Sequence, residues 1–503
     1  MRKEKGSLTV FAALSMMLVA AVIFTLLEGA RNIEIQRISW LEAESAVESL
    51  FASYDRILWQ RYHLLGVNGM DTEGGFSEEG LEDAVADFAE RVMNPDLLEG
   101  EGSAMLCLAP TEIDLLHYGL LTDQKGEAFE AATSAYMKEK VLSDAVEETY
   151  HRCRASEAME ASYQESEEAI ENAQDELKKV KEAVASEDGG SDSGAHSETD
   201  SDSQPEVSSD NPMDQADKLK KTGILALVLR PDAAVSGNAV ADPNVLLSNR
   251  KCLAGNSPEE YKNTLYDRVL MNKYLSETFR SYRNPHADGL LQYEVEYILC
   301  GKDNDAENLK ITLNKLVAAR ETANFAYLLS DVDKVNKATE LATALAGATA
   351  NPLIIATVEA GILGAWAYAE SILDARALLE GRKIAFLKNA EQWSTDLDAI
   401  GNIGSEFLMA KECSNGLSYV QYLELLLAAQ STEKNAFQGM DLIEADLQNR
   451  PGCEMIRLDH MVVSAEFEIG GEWDSIFLSP VSLGAVHDQA FQVQCNSKYS
   501  YYK

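Results

Sequence analysis

The chain has 503 residues and a strongly acidic composition, with 83 Asp and Glu against 43 Lys and Arg and a formal net charge of −40. Nucleic-acid binding depends on clustered Lys and Arg, so a surface this negative argues against a nucleic-acid partner. The length allows two or more domains, and 46% hydrophobic residues with 8% aromatics are typical of a helix-rich globular protein.

The N-terminus carries the clearest signal in the sequence. Residues 1–6 include three basic side chains, and residues 7–27 follow without a charge. About 20 apolar residues cross a hydrocarbon layer of roughly 30 Å. The positive-inside rule then predicts a cytoplasmic leader at 1–6, a single transmembrane helix at 7–27 in the lipid bilayer, and an extracytoplasmic body. The alternative is a cleaved signal peptide, which requires a shorter apolar core and small residues at the cleavage site, and Leu26–Ala30 fits that pattern poorly.

The predicted span continues into an amphipathic helix over residues 28–66. Apolar residues recur at three- and four-residue intervals from Trp40 to Leu65, and the sequence has no proline from Ser7 to Leu65. We expect both halves to form one rod of roughly 85 Å, at 1.5 Å per residue, that stops at Gly66.

A basic leader, a glycine, an apolar half and an amphipathic half resemble the first helix of type IV pilins and of tight-adherence pseudopilins. Lys5-Gly6-Ser7-Leu8-Thr9-Val10-Phe11 resembles a prepilin peptidase site, and the resemblance implies cleavage between Gly6 and Ser7. The fifth residue after that bond is usually Glu in pilins, whereas here it is Phe11. Two hypotheses follow: a minor component that does not polymerise, or an uncleaved chain in which Gly6 only begins the helix.

Two segments of contrasting composition come next. Residues 67–185 are predicted to be a helical region, because Gly126 to Ala185 is rich in Ala, Glu and Lys and lacks proline. Residues 186–213 are mostly Ser, Asp, Glu and Gly, with almost no apolar residue and no Lys or Arg. That composition cannot offset the entropy of ordering, so it predicts a disordered acidic linker.

Residues 214–450 are predicted to form a helical body. Ser257-Pro258-Glu259-Glu260 has the residues of a helix start and predicts a helix to about Arg283. Further helices are predicted at 303–329, 341–379 with a break at Asn351-Pro352, 419–430 and 436–447. The segment 352–369 is apolar enough to be a second span, but Glu359 in its middle favours a buried core helix. A second span would return the C-terminus to the cytoplasm.

Strand patterns are confined to two places. Apolar and polar residues alternate from Leu291 to Cys300, which predicts a strand near 291–299. Residues 451–503 are predicted to be β-rich, with strands at 461–469, 476–478 and 490–495. The predicted fold is therefore α+β and predominantly helical, with a long N-terminal transmembrane and amphipathic helix, a helical body, and a small antiparallel sheet that includes the C-terminal strands.

The sequence contains no local motif for catalysis or for metal binding. HExxH, GxSxG, GxxxxGK[ST] and GxGxxG are all missing, and the seven cysteines have no close pairs. We interpret the cysteines as buried small apolar residues, with one or two disulfides left open. We predict no catalytic residue, no metal and no cofactor.

Two acidic groups allow both a chemical and a structural interpretation. Glu294 and Glu296 would share one face of the predicted strand, where paired carboxylates can share a proton, bind a cation or form salt bridges. Asp303, Asp305 and Glu307 resemble the start of a calcium loop. That loop needs Gly and Glu where this chain has asparagines, so helix capping is favoured.

A third group of charges is predicted on adjacent helices of the body. We expect it to form a partly buried polar network that fixes packing rather than performs catalysis. Its members are Arg320, Glu321, Glu370, Asp374 and Arg376.

Four segments carry a further resemblance, Tyr54–Tyr62, Tyr293–Lys302, Arg320–Ser330 and Ala365–Arg376. They are similar to a family of uncharacterised membrane-anchored proteins of Gram-positive, largely anaerobic bacteria. Such proteins look like relatives of the pseudopilin-like components of tight-adherence pilus and secretion systems. The resemblance implies no activity and no catalytic residue.

The sequence thus predicts a single-pass cell-membrane protein with a non-enzymatic, pseudopilin-like role in a pilus or secretion assembly. Its expected partners are the lipid bilayer, through residues 7–27, and proteins of that assembly. The alternatives are a stand-alone membrane-anchored binding protein and a membrane-tethered enzyme whose residues converge only in three dimensions.

Overall fold

The structure, a computed structural model, describes residues 4–71, 74–93, 109–140, 211–240, 242–285, 290–346, 351–477 and 490–502, and the single residue Lys179. The chain divides into two compact units. The first comprises Met1–Glu139, Leu246–Thr264 and Ile443–Lys503, and the second comprises Lys140–Val245 and Leu265–Leu442. The predicted fold class is confirmed, since helices predominate, the chain begins with a long apolar helix, and a small antiparallel sheet includes the C-terminal strands.

The first unit combines helices with the sheet. Its helices are α1 Glu4–Ala52, α2 Arg56–Tyr62, α3 Glu78–Met93 and α4 Asp123–Lys140. Its strands are β1 Val67–Asn68, β2 Ala109–Leu120, β3 Met461–Asp474 and β4 Ala490–Ser500.

The first helix is shorter than the sequence predicts, so the single rod to residue 66 is wrong. Asp55 caps α2 by accepting the N–H of Leu58 at 2.7 Å, and its own N–H donates to the Gly66 carbonyl at 2.9 Å. A side chain that accepts a backbone N–H in this way competes with helix continuation. His63 then ends α2 in the left-handed conformation, with φ 54°.

All strand pairs in the sheet are antiparallel, and β3 is central. Ile469 of β3 pairs with Ile113 of β2 on one side and with Cys495 of β4 on the other. The short β1 pairs with the first two residues of β3. The strands predicted at 461–469 and 490–495 are present and longer in the structure. The strand predicted at 476–478 is wrong for Ile476 and Phe477, which lie outside any strand, and Leu478 lies outside the described residues.

The prediction of a helical region over 67–185 is wrong for β2, which is a strand of 12 residues. Its register against β3 shifts between Pro110 and Ile113 and again between Leu115 and His117. Bulges of this kind interrupt the two-residue alternation that identifies a strand in sequence. The predicted helix from 126 is present as α4 up to Lys140, and most of its remainder lies outside the described residues.

The core of the first unit lies between α1, α3 and the sheet. Apolar side chains from α1 at three- and four-residue spacing meet α3 and one face of β3, which is the pattern expected of an amphipathic helix on a sheet. Its members include Ile35, Val47 and Phe51 of α1, Val85 of α3, and Phe467 and Ile469 of β3.

The second unit is helical. Its helices are α5 Pro212–Thr222, α6 Ile224–Val228, α7 Leu265–Thr278, α8 Glu294–Cys300, α9 Asp305–Ser330, α10 Val332–Ala346, α11 Pro352–Leu379, α12 Tyr419–Ala429 and α13 Thr432–Gln448, the last of which extends into the first unit. Most of the predicted linker lies outside the described residues; at its end, Asn211 caps α5 and Met213 is already buried.

Two predictions in this part of the chain are wrong. No helix begins at Ser257, because the N–H groups of Asn256 and Ser257 both donate to the Tyr118 carbonyl, and helix α7 starts only at Leu265. The predicted strand at 291–299 is instead helix α8. Its consecutive residues from Val295 to Leu299 are all buried, so the short helix is enclosed on every side and its sequence alternation carries no information about the backbone.

Helix α11 forms the centre of the second unit. It is apolar and long enough to cross a membrane by composition, but every residue from Gly361 to Leu379 is buried. Burial of this extent is typical of a core helix. At its start, Asn351 caps the helix and Pro352 occupies the first turn, as the sequence predicts for the break at this point.

Candidate functional site

Helix α1 has two halves with opposite environments. From Leu8 to Leu27 its large apolar side chains are exposed around the helix, with Phe11 70% and Leu18 70% exposed. The most apolar 18-residue stretch of this helix has a mean hydropathy of 2.6, and none of that stretch is buried in the protein. From Glu28 to Ala52 one face is buried against the sheet and α3. One half of α1 therefore packs within the folded first unit. The other half is an exposed apolar rod that is long and apolar enough to cross a membrane.

The first two charged residues after the apolar half form a buried ion pair. Arg31 donates to Glu28 at 2.9 Å, and their side chains are 6% and 1% exposed. The second carboxylate oxygen of Glu28 accepts the backbone N–H groups of Ile476 at 3.1 Å and Phe477 at 2.7 Å. Arg31 also donates to the Asp474 carbonyl at 2.8 Å. The pair thus fixes the chain that leaves β3 to the base of the apolar helix.

Aromatic contacts extend this attachment on both sides of the ion pair. Phe24, inside the apolar half, stacks on Phe477 with ring centroids 6.5 Å apart. Next to Arg31, the Asn32 side chain accepts the Trp473 indole N–H at 3.0 Å. We name the six residues Phe24, Glu28, Arg31, Trp473, Ile476 and Phe477 the helix–sheet junction.

The far end of α1 is attached through the last residues of the chain. Phe51 stacks on Tyr499 at 4.6 Å between ring centroids and meets Tyr501 edge-on at 5.2 Å. The Tyr501 hydroxyl donates to the Phe51 carbonyl. Because α1 is held by the sheet at both Glu28 and Phe51, its packed half is a rigid part of the first unit.

The outward face of the packed half remains partly apolar. Ile33 is 69% exposed, Trp40 53% and Leu41 58%. Ile33 and Trp40 are seven residues apart, so they lie on one side of the helix. Between them, Glu34 and Arg37 form a solvent-exposed ion pair at 3.0 Å.

One carboxyl group on this half of α1 is chemically unusual. Burial raises the pKa of Glu42 from 4.5 to about 7. Its Oε2 atom is buried and has no hydrogen-bond partner among the described residues. A carboxyl group in this environment favours the neutral form, which reduces the charge that the helix carries near neutral pH.

The predicted polar network of the second unit is present in part. Arg320 donates to Asp374 at 3.0 Å, and Lys388 binds both Asp374 and Glu370. All four side chains are at most 1% exposed. Burial opposes ionisation of Asp374, but Lys388 and Arg320 outweigh it and hold the pKa of that carboxyl below its ordinary value.

The partners that complete this network were not predicted from the sequence. The Arg320 guanidinium also binds the Tyr422 hydroxyl at 2.9 Å and Asn324 at 3.2 Å, and Glu370 accepts from the Thr395 hydroxyl at 2.8 Å. Arg376 lies apart from the network and donates to the carbonyls of Leu227, Ile403, Glu406 and Leu408. Because Arg320, Asp374, Lys388 and Glu370 are buried and hydrogen-bonded to one another and to their neighbours, the arrangement is that of a packing element.

The paired glutamates have separate structural roles, so the prediction of a shared strand face is wrong. Both lie in the first turn of α8, where Glu294 accepts the Arg280 N–H and Glu296 accepts the Tyr282 N–H, each at 2.9 Å. Glu296 is fully buried, also accepts from the Tyr419 hydroxyl at 2.8 Å, and has its pKa raised by burial to about 7.

The acidic residues near 305 act on the backbone. Asn304, rather than an aspartate, caps α9 by accepting the Glu307 N–H at 2.8 Å. Asp305 is buried and accepts the N–H groups of Gln292 and Tyr293. Across the described part of the chain, no three His, Cys, Asp or Glu residues converge in a way that could hold a metal ion.

The cysteines within the described ranges are free thiols. Cys453 and Cys495 are buried, and Cys252, Cys300 and Cys413 are half-buried. Cys107 and Cys153 lie outside the described residues. Gly6 and Ser7 lie within the helical backbone of α1, and cleavage between them stays a prediction.

Comparison with known proteins finds one family. The model of a family of unknown function, DUF5702, matches residues 202–473, which is more than half of the chain. The chain belongs to this family. The DUF5702 match covers the second unit from residue 202 onward and most of β3, and it ends before Ile476. No curated protein and no solved structure matches the chain. DUF5702 membership carries no activity to any residue.

Proposed function

We propose that this protein is a membrane-anchored, extracytoplasmic, pseudopilin-like component of a pilus or secretion assembly, and that its role is structural rather than enzymatic. The observation that carries the proposal is the division of α1 into a bare apolar half and a half packed on an antiparallel sheet. Residues 7–27 span the lipid bilayer, the leader stays in the cytoplasm, and both compact units lie outside.

The exposed face of α1 provides the contact with other subunits. Above the level of Glu28, α1 still exposes large apolar side chains, those of Ile33, Trp40 and Leu41. Large apolar side chains aligned on a helix face favour packing against another helix, and a Trp among them is typical of an interface anchor. The net charge of −40 keeps the bodies of free subunits apart, so association depends on this face.

A photo-crosslinking experiment tests the assembly. Benzoylphenylalanine in place of Trp40 is compared with the same probe in place of Asn496, which is exposed on β4. We expect Trp40 probes in intact cells to form protein adducts that Asn496 probes do not form. Lipid-only adducts or no adducts at Trp40 would contradict the subunit contact.

Mass spectrometry of the native N-terminus is the companion measurement and tests prepilin-type processing. A chain that begins at Ser7 supports such processing. An intact leader contradicts it and leaves the membrane anchor untouched.

A further inference from the structure

The helix–sheet junction lies at the same level as the last turn of the apolar rod. Phe477 stacks on Phe24, which is one turn below Glu28 and inside the apolar half. At this level the helix is covered on one side only, since Val22 is 54%, Leu26 68% and Leu27 44% exposed. If Leu26 and Leu27 are in lipid, then Ile476 and Phe477 are at the depth of the bilayer as well.

The boundary between apolar and charged residues lies at the same level on α1 and on the chain that leaves β3. On α1 the first charged residue after the rod is Glu28, and on the chain leaving β3 Asp474 is the last charged residue before an uncharged stretch. Arg31 bonds to the Asp474 carbonyl and to Glu28, so both boundaries are held at one height. Beyond Asp474 the sequence has no charged residue from Ser475 to Val486.

Below that boundary, the backbone N–H groups of Ile476 and Phe477 are hydrogen-bonded within the protein. Peptide N–H groups in a lipid environment require an internal acceptor, because no water is available to them. The N–H groups of Ile476 and Phe477 both have one in the Glu28 carboxylate. Arg31 neutralises Glu28. Because their side chains are only 6% and 1% exposed, the ion pair is enclosed by protein and does not face lipid. The Ile476 side chain is 39% exposed and free to meet a lipid chain.

From these observations we infer that Ile476 and Phe477 form a second point of membrane contact, inserted beside α1 into the outer leaflet of the bilayer. This inference rests on the proposed membrane anchor and adds a lipid-facing element from the sheet to it. The inserted pair fixes the height and the rotation of the first unit relative to the membrane surface, which a single helix alone does not fix.

The test is photo-crosslinking of the full-length protein in vesicles of phosphatidylethanolamine and phosphatidylglycerol. Benzoylphenylalanine replaces Ile476, with Leu26 as the lipid-exposed reference and Asn496 as the exposed reference on the sheet. We expect phospholipid adducts at Ile476 at no less than a third of the yield at Leu26, and at least tenfold above Asn496. Adducts at Leu26 but not at Ile476 overturn this inference and leave the anchor standing. Adducts at neither position overturn the anchor as well. Protein adducts at Ile476 in place of lipid adducts would assign the pair to a subunit contact and overturn the inference.

A smaller substitution provides an independent measurement. Ile476→Trp adds an indole at this position, and vesicles with brominated acyl chains quench the fluorescence of an indole that reaches them. The added fluorescence, measured as variant minus wild type, is expected to fall at least twofold in brominated vesicles. An unchanged difference signal, with unfolding identical to wild type, would overturn the inference.

Discussion

Glu28 and Phe477 are 449 positions apart in the sequence, yet the Glu28 carboxylate accepts the Phe477 N–H at 2.7 Å. This bond joins the first helix to the end of the central strand at the point where the apolar rod begins. A hydrogen bond to a buried charged group contributes more than a neutral one, and here one carboxylate serves two N–H groups and an arginine. The Glu28 carboxylate therefore links the apolar helix directly to the end of β3.

Removal of the Glu28 carboxylate is expected to destabilise the first unit strongly. Glu28→Ala removes the carboxylate that pairs with the buried Arg31 and accepts two backbone N–H groups. The expected loss is about 3 kcal/mol or more in the free energy of unfolding. Hydrogen exchange of β3 and β4 peptides over a urea series, in detergent, measures it.

The matched control is on the same helix. Glu34 and Arg37 have the same spacing as Glu28 and Arg31 and the same type of contact, but they are 44% and 71% exposed. Glu34→Ala is expected to cost less than about 1 kcal/mol, because exposed ion pairs contribute little. Equal effects of the two substitutions would show that the junction is not a stabilising contact.

The buried carboxyl Glu296 predicts a specific pH dependence. Its pKa is raised from 4.5 to about 7, so between these values the folded protein holds a proton that the unfolded chain releases. The free energy of unfolding therefore falls as pH rises through this window, by roughly 3 kcal/mol at 1.4 kcal/mol per pH unit. Glu296→Gln cannot ionise and should lose that dependence, so that its stability relative to wild type improves from pH 5 to 8. Thermal unfolding across this range measures both proteins.

A substitution at Tyr419 tests the same titration, because it should raise the pKa of Glu296 rather than remove the ionisable group. Its hydroxyl donates to Glu296 and favours the ionised carboxyl. Tyr419→Phe removes that donor and should move the Glu296 titration to higher pH. A pH profile for Tyr419→Phe that coincides with wild type would contradict the assignment of this window to Glu296.

Lys388 is expected to be indispensable to the core of the second unit. Lys388→Met leaves the buried carboxylates of Glu370 and Asp374 with fewer cations, which costs about 3 kcal/mol or more. Hydrogen exchange of α9 and α11 peptides reports the loss. The double variant Lys388→Met, Glu370→Gln should recover part of it, because one unpaired charge is removed.

An exposed lysine of the same unit serves as the control. Lys337 and Asp396 are 4.0 Å apart and 62% and 78% exposed. Lys337→Met should change the free energy of unfolding by less than about 0.5 kcal/mol. If Lys388→Met is as mild as this control, the network does not stabilise the fold.

Gly416 is predicted to tolerate no side chain. A Cβ there would lie 2.6–2.8 Å from backbone atoms of Ile384, which cannot rotate away. Gly416→Ala is expected to cost roughly 2 kcal/mol, within the range for overpacked cores. Gly237 has open space around its Cβ position, so Gly237→Ala is the control and should be neutral or slightly stabilising, as thermal unfolding would show. Similar melting temperatures for the two variants would contradict the close approach of Gly416 and Ile384.

Long elements were predictable from the sequence because their periodicity extends over many turns. Helix α9 was predicted at 303–329 and is found at Asp305–Ser330, and the break before Pro352 is in place. Short elements were not predictable in this way. Seven residues of α8 contain only two turns, so its alternation of Glu with apolar residues looked like a strand until its tertiary surroundings were known.

The sites were predictable only where a local signal existed. Arg320, Glu370 and Asp374 stood out as charges within apolar helices, but Lys388 lies outside the helices and gave no such signal. Glu28 and Arg31 directly follow the predicted span and belong to no local motif. Their spacing to Ile35 and Ser39 follows the buried face of α1, and that periodicity is the signal that would have placed them at the junction.

The membrane anchor is tested most directly by fractionation of intact cells that express the full-length chain with a C-terminal epitope after Lys503. We expect the protein to stay in the membrane pellet after alkaline carbonate extraction. We also expect protease added to intact cells without their cell wall to remove the epitope. Recovery in the soluble fraction, or an epitope protected until the membrane is permeabilised, would contradict this proposal.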